Sequence, residues 1–275
     1  MRNCVCLSLQ VVSLTGFSMN TCLTIDLGLI GYREAWALQQ SLVSARKAAL
    51  PSTASAPDDP NIGDVLLLCE HPHVITLGRN GKREHLQASH QVLRQKGVEF
   101  YSSDRGGDVT YHGPGQIVGY PILNLAAIRR DVGWYVRMLE ETMIRTSAGF
   151  GVTAQREPGK TGVWVETGNS PATSIAPEKL GAIGVHLSRW ITSHGFAYNV
   201  CTNLRYFDLI VPCGIAGCRA TSLEKILGHT VKSADAKASM VRHFGEIFGR
   251  QMQPKSAEAL FATLQRLEHP AAIPA

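Results

Sequence analysis

Arg105-Gly106-Gly107-Asp108-Val109-Thr110-Tyr111-His112-Gly113-Pro114-Gly115-Gln116 places four glycines within twelve residues. Glycine lets the backbone approach a ligand closely and leaves amides free to point at it. The same run also reads as a pair of tight turns around a hairpin. It is neither G-x-x-x-x-G-K-[ST] nor a G-x-G-x-x-G set between strand and helix, so nucleotide binding has weak support. Short strand-like runs surround it: Asp64 to Cys69, His73 to Leu77, Val98 to Tyr101, Asp108 to Tyr111 and Gln116 to Leu123.

Further out, Gly31 to Leu50 carries Tyr32, Ala35, Trp36, Leu42 and Val43 at helical spacing. Pro51 to Asn61 is rich in Ser, Ala, Pro and Asp and reads as a surface loop. Asp131 to Gly149 predicts an amphipathic helix with Asp131 as N-cap. Gly162 to Glu166 and Lys179 to Ser188 predict strands joined by a polar loop around Gly168 to Pro177, followed by Arg189 to Val200. Helices are expected at Thr221 to Leu227, Ser233 to Phe248 and Ser256 to Leu267. Strands that do not alternate regularly with helices predict an α+β domain with a mixed β-sheet flanked by helices. The expected organisation is an N-terminal extension over 1–22, poorly ordered, a catalytic domain over 23–250, and a C-terminal helix and tail over 251–275.

Composition narrows the class. A chain of 275 residues with 44% hydrophobic and 18% charged residues buries roughly 75% of its unfolded surface, which needs no disulfides or metal to hold it. No apolar run reaches the ~18 residues of a membrane span. The net charge is +5, with Lys and Arg dispersed and no recognition-helix or zinc-finger pattern. This suits an acidic protein partner and argues against nucleic acid. Seven cysteines (4, 6, 22, 69, 201, 213 and 218) are odd in number and unevenly spaced, which fits reduced thiols in the cytoplasm rather than a secreted disulfide framework. The first residues lack the uninterrupted apolar core and A-x-A site of a signal peptide.

Two further stretches carry chemistry. Pro212-Cys213-Gly214 lies between the apolar run Leu209 to Val211 and a predicted helix. If Gly214 to Thr221 leads into that helix, free amides and the positive dipole end favour a thiolate at Cys213; a buried structural cysteine is the other reading. Cys213 and Cys218 form a C-x4-C pair without a second pair, and His71 and His73 an H-x-H pair without companions, so no metal site is expected. Lys179 opens the apolar strand Lys179-Leu180-Gly181-Ala182-Ile183-Gly184, where it either snorkels or serves chemistry. Ser193-His194-Gly195-Phe196-Ala197 follows.

Taken together, these stretches resemble the lipoyl(octanoyl) transferases. The match rests on Arg105 to Gln116, on Lys179 with Ala182-Ile183-Gly184, on His194-Gly195-Phe196-Ala197 with Asn199, and on Pro212-Cys213-Gly214. Glu70-His71-Pro72 and Thr76-Leu77-Gly78-Arg79 add to it, and the resemblance covers about Leu23 to Leu227. The segments Ser44 to Asn61 and Thr167 to Glu178 look longer than the family's usual form.

The resemblance implies a fold shared with biotin and lipoate protein ligases. It implies transfer of an octanoyl or lipoyl group from acyl carrier protein to a lysine of lipoyl domains, those of 2-oxoacid dehydrogenase and glycine cleavage complexes. No cofactor, nucleic acid or membrane takes part. By motif position Cys213 carries the acyl thioester and Lys179 lowers its pKa. Arg105, Gly106, Gly107, Asp108, Val109, Thr110, Tyr111 and His112 line the acyl site with Ala182, Ile183, Gly184, Gly195, Phe196 and Ala197. Amides near Gly214 or Gly184 hold the oxyanion. His112 and His194 are rival bases, His112 ranking second to Lys179 as an orienting or acyl-site residue. An ATP-dependent lipoate or biotin protein ligase and a non-catalytic acyl-carrier-binding module are the alternatives.

Overall fold

Asp64-Val-Leu-Leu-Leu-Cys-Glu70 forms strand β2 in the computed structural model, which describes residues 21–50, 63–166, 176–212 and 217–268. Its side chains divide by parity. Leu66 and Leu68 enter one hydrophobic cluster, and Val65, Leu67 and Cys69 enter another on the opposite face. A strand buried on both faces reads as a continuous apolar run, which is why it is visible in the sequence.

Around β2 an eight-stranded mixed sheet assembles from β1 (Thr21–Leu29), β6 (Gln116–Ile122), β7 (Gln155–Glu157), β8 (Lys160–Val165), β9 (Glu178–Ser188), β10 (Ile191–Asn199) and β11 (Gln251–Pro254). The order is β11-β1-β2-β6-β10-β9-β8-β7. Pairing is parallel for β11, β1 and β2 and antiparallel from β2 onward.

One face is covered by α4 (Val132–Ala148), which follows the single-turn α3 (Leu125–Ile128), and by α6 (Ser233–Phe248). Tyr135, Leu139 and Met143 of α4 meet Met240 and Phe244 of α6 there. Asp131 caps α4 as expected, its carboxylate accepting from the Trp134 amide at 2.8 Å. The other face is covered by α1 (Tyr32–Ala48), whose Ala35, Leu38 and Leu42 recur at helical spacing, and by α7 (Ala257–Glu268) through Leu260 and Leu264.

A second sheet of three strands, β4 (Glu99–Ser102), β3 (Val74–Leu77) and β5 (Val109–His112), is backed by α2 (His90–Gln95). Leu209 and Ile210 plug its core. Among the described residues no helix is long and apolar enough to cross a membrane.

Several elements depart from expectation. β1 carries no strand prediction, and it begins at Thr21. β11 is polar and ends in Pro254, a residue that a sheet edge tolerates. Ser44 to Ala48 complete α1, so the extra length there is partly helix. The predicted loop Pro51 to Asn61 and most of Gly168 to Pro177 lie outside the described residues. The helix predicted from Thr221 is α5 (Leu223–Leu227), capped by Ser222; the Thr221 amide is already donated to the Lys179 carbonyl at 2.9 Å.

Asp64 ties distant parts of this frame together. Its carboxylate pairs with Arg46 of α1 at 3.2 Å and with Arg250 before β11 at 2.8 Å, and it accepts from the Asn124 amide at 3.2 Å. Asp64→Ala leaves the buried Arg46 and the half-buried Arg250 without this partner. Urea denaturation is expected to show a loss of about 3–5 kcal/mol, the usual result of removing one member of a buried ion pair.

Candidate active site

Strands β9 and β10 pair Ala182 with Ala197 and Gly184 with Gly195, and residues directly opposite one another share a face. These small side chains carve a groove in the sheet. The Arg105–Thr110 segment and His112 roof it, enclosing a cavity of about 220 Å³. That is below the ~300–1,000 Å³ of common ligand pockets and suits a slender chain. Gly184 is required for this closure: a Cβ there would stand 2.8 Å from the Gly106 carbonyl oxygen.

The roof is fastened by charge. Buried Arg105 donates to the carbonyls of Thr76 (2.7 Å), Gly106 (3.0 Å) and Asp108 (2.6 Å) and to the Thr76 hydroxyl. Asp108 accepts from the Lys82 and Val109 amides and pairs with His85. Of the expected acyl-site residues, Arg105, Gly107, Asp108, Val109, Thr110, His112, Ala182, Ile183, Gly184, Gly195, Phe196 and Ala197 line the cavity. Two do not. Gly106 bonds its amide to the Val185 carbonyl, and Tyr111 turns the other way, stacking on Tyr206 and bonding His73.

Lys179 reaches this cavity because of a β-bulge. Val163 pairs with Gly181 but the next residue, Trp164, pairs with Lys179, so Leu180 is the extra residue. A bulge re-aims the side chains beyond it. Leu180 and Gly181 face the α4 layer, where Leu180 joins the core and a Cβ on Gly181 would meet Met143. Lys179 turns to the cavity face with Ala182. Its side chain is buried, with the ammonium 4.8 Å from the Trp164 ring centroid, a cation–π arrangement. Gly162, at φ +120°, leaves the space the lysine stem occupies; a Cβ there would lie 2.7 Å from Lys179 Cε.

Cys213 and Gly214 lie outside the described residues. Both flanks of their segment are fixed. Ahead of it, the Val211 amide donates to the His85 carbonyl at 2.7 Å and Ile210 bridges to Leu86. Behind it, Lys179 donates its amide to the Arg219 carbonyl at 2.8 Å and Ala220 bridges to Lys179. Pro212 and Cys218 line a small cavity together with Lys179.

Two expectations change. Residues Arg219–Thr221 run beside β9, and among the described residues the helix predicted from Thr221 starts only at Leu223, nine positions after Gly214. Gly184 stands five positions along β9 from Lys179, roughly 13–16 Å at ~3.3 Å per residue, level with the middle of the groove rather than with the amine.

The histidines divide by environment. Gln116 donates its amide to the Tyr111 carbonyl and to Asn199, which turns its oxygen toward His112 Nδ1 at 2.7 Å. His112 Nδ1 is therefore the protonated nitrogen and Nε2 the acceptor. Asn199 continues this chain to the Thr221 carbonyl. Burial, with help from His71, pushes His112 down to about 3, so it holds a proton poorly and ranks below an amine as a base. Burial also lowers His194, whose Nε2 is 2.7 Å from Asp104. His71 is held by the Ile30 carbonyl and Tyr120. Among the described residues no three His, Cys, Asp or Glu side chains converge to hold a metal. Tyr32, Val118, Tyr120, Lys160 and Thr161 also line the cavity; no sequence motif marks them.

His112 stays neutral in the fold down to about pH 3, whereas an unfolded-chain histidine protonates near ~6.5. The unfolded chain therefore binds more protons in that window, and stability falls as pH drops through it, by up to ~1.4 kcal/mol per pH unit for this group. His112→Gln is expected to flatten the acid limb of unfolding free energy against pH, measured in urea between pH 7 and 4. An unchanged limb would show that His112 is not the buried neutral group described.

Comparison with known proteins agrees with this geometry. A model described as the lipoyl protein ligase A/B catalytic domain matches residues 31–245. The octanoyltransferase of Acidobacterium capsulatum is 48% identical over 237 residues, 83% of this chain and 90% of that protein. That of Solibacter usitatus is 46% identical over 241 residues, 88% and 99% of the two. A solved bipartite lipoate protein ligase from Thermoplasma acidophilum covers 92% of this chain and 93% of its own at a TM-score of 0.65 and 14% identity. That likeness gives the fold alone, the α+β lipoate-ligase fold expected from the sequence. With its acyl-sized cavity, its match to the catalytic-domain model and its octanoyltransferase relatives, the chain belongs to the lipoyl protein ligase A/B catalytic-domain family and is an octanoyl-transferring acyltransferase.

Proposed function

We propose that the chain takes an octanoyl or lipoyl group from acyl carrier protein and passes it, through a thioester on Cys213, to a specific lysine of lipoyl domains. This is the first step of endogenous protein lipoylation, with the domains of 2-oxoacid dehydrogenase and glycine cleavage complexes as acceptors and the cytoplasm as its place. The observation that carries it is the placement of Lys179: buried at the cavity, with the chain on both sides of Cys213 lining a space beside it.

The chemistry balances without ATP, because the acyl group arrives as a thioester. Cys213 gives its proton to Lys179, an exchange that reference values of ~10.4 and ~8.5 favour by about 2.6 kcal/mol in water. The thiolate attacks the carrier thioester carbonyl. The bond to the carrier sulfur breaks, and the Lys179 ammonium returns the proton to the departing thiol. The acceptor lysine then attacks the Cys213 thioester as the free amine and loses its proton to Lys179. Cys213 leaves as thiolate, with an amide formed. The Trp164 ring face lies 4.8 Å from the Lys179 nitrogen and holds the amine at the cavity.

Intact-mass measurement after mixing with octanoyl-acyl carrier protein is expected to show one octanoyl adduct, absent from Cys213→Ser. An adduct that persists in Cys213→Ser with unchanged turnover would overturn the reading. Lys179→Met is expected to shift the alkylation profile of Cys213 to higher pH; an unshifted profile removes the role given to the amine. The lipoate-ligase fold makes an ATP-dependent ligase the second reading. It requires free octanoate or lipoate to be activated by ATP, measured as pyrophosphate release in the absence of carrier protein.

A further inference from the structure

His194 lies inside β10 yet has φ +53°, a left-handed conformation uncommon for a residue with a side chain. Strand parity would send it toward the α4 and α6 layer, where Phe196 and Tyr198 go. The backbone turn sends it instead to the cavity, which it lines, and to Asp104, 2.7 Å from its Nε2. Its amide is held by Gln39 Oε1 of α1 at 2.8 Å, and its ring faces Trp36 at 6.1 Å between centroids. Such a conformation persists where its surroundings over-determine it, and it clusters where function needs it.

The position of His194 along the groove is specific. Lys179 stands at one end. His194 pairs with Val185, six positions further along β9, or roughly 16–20 Å at ~3.3 Å per residue. Between them the groove floor is Ala182 with Ala197 and Gly184 with Gly195. The next pair, His186 with Ser193, does not line the cavity. Behind His194 stands Asp104, 45% of its side chain exposed, so the wall at this end is about one side chain thick.

We infer that His194, buttressed by Asp104, is the end-stop of the acyl groove and sets the longest chain the enzyme accepts. The inference rests on the acyl-transfer reading of the same cavity and assigns its substrates to medium-chain acyl groups whose methyl end abuts the imidazole. His194→Gly relieves the left-handed backbone and removes the stop. His194→Asn tolerates the same backbone and shortens the side chain.

The test compares the full-length protein and both variants on octanoyl-, decanoyl- and dodecanoyl-acyl carrier protein, by kcat/KM. A second readout is the rise in Tm given by free octanoate, decanoate and dodecanoate. The unmodified protein is expected to fall off beyond octanoyl. The variants are expected to raise the dodecanoyl-to-octanoyl ratio at least tenfold, chiefly through KM, with dodecanoate becoming the better stabiliser. The same chain-length order in both variants and the unmodified protein, in both readouts, overturns the end-stop. Failure of the unmodified protein to transfer octanoyl defeats the proposed function instead, and the Tm series then decides the end-stop by itself.

Discussion

The Arg105 guanidinium is the constraint on which the site depends. A fully charged group is costly to bury unless its donors are met, and here the partners are backbone carbonyls of Thr76, Gly106 and Asp108. Those carbonyls belong to the small sheet and to the roof segment. Satisfying the arginine therefore folds the roof into one shape and holds it against β9, where only Gly184 admits it. The groove is the space left between that roof and the alanine and glycine floor. Its width follows from how close two backbones can come, not from large apolar side chains.

Much of the frame was legible because burial on both faces writes itself into sequence. β2 and β6 carry the unbroken buried runs Val65 to Cys69 and Ile117 to Ile122, and α1, α4 and α6 bury residues at three- and four-residue steps. Edges were harder to read. β11 is polar and gains its place only by pairing with β1, and β1 offers an alternation interrupted by polar residues. The β9–β10 hairpin turns on Arg189 and Trp190, both at left-handed φ, without the Asn-Gly or Asp-Gly that usually announces such a turn.

The site was legible as motif rather than as geometry. The roof segment, Lys179 and the small residues of β9 and β10 could be named from the chain, but bringing the roof onto the β9–β10 floor depends on contacts as distant as Gly106 with Val185. Gln116 and Asn199 fell within matched stretches, and only coordinates show them bonded to each other and oriented toward His112. Tyr32 opens α1 in a context any helix start could have. The turning away of Tyr111 follows from simple alternation in β5, where Thr110 and His112 face the groove and Tyr111 the small sheet's own core.

The doubled step at Leu180 fixes the side of the sheet on which the Lys179 amine stands. Surface connections can lengthen at small entropic cost, since loop closure grows only logarithmically with length. The interval from Lys179 to Gly181 has no such latitude. If Leu180 were instead absorbed as a regular pair, simple alternation back from Ala182 would put Leu180 at the cavity and swing the Lys179 amine into the packing beneath α4. The side of the sheet from which this amine acts is thus decided by one doubled step in the ladder between β8 and β9.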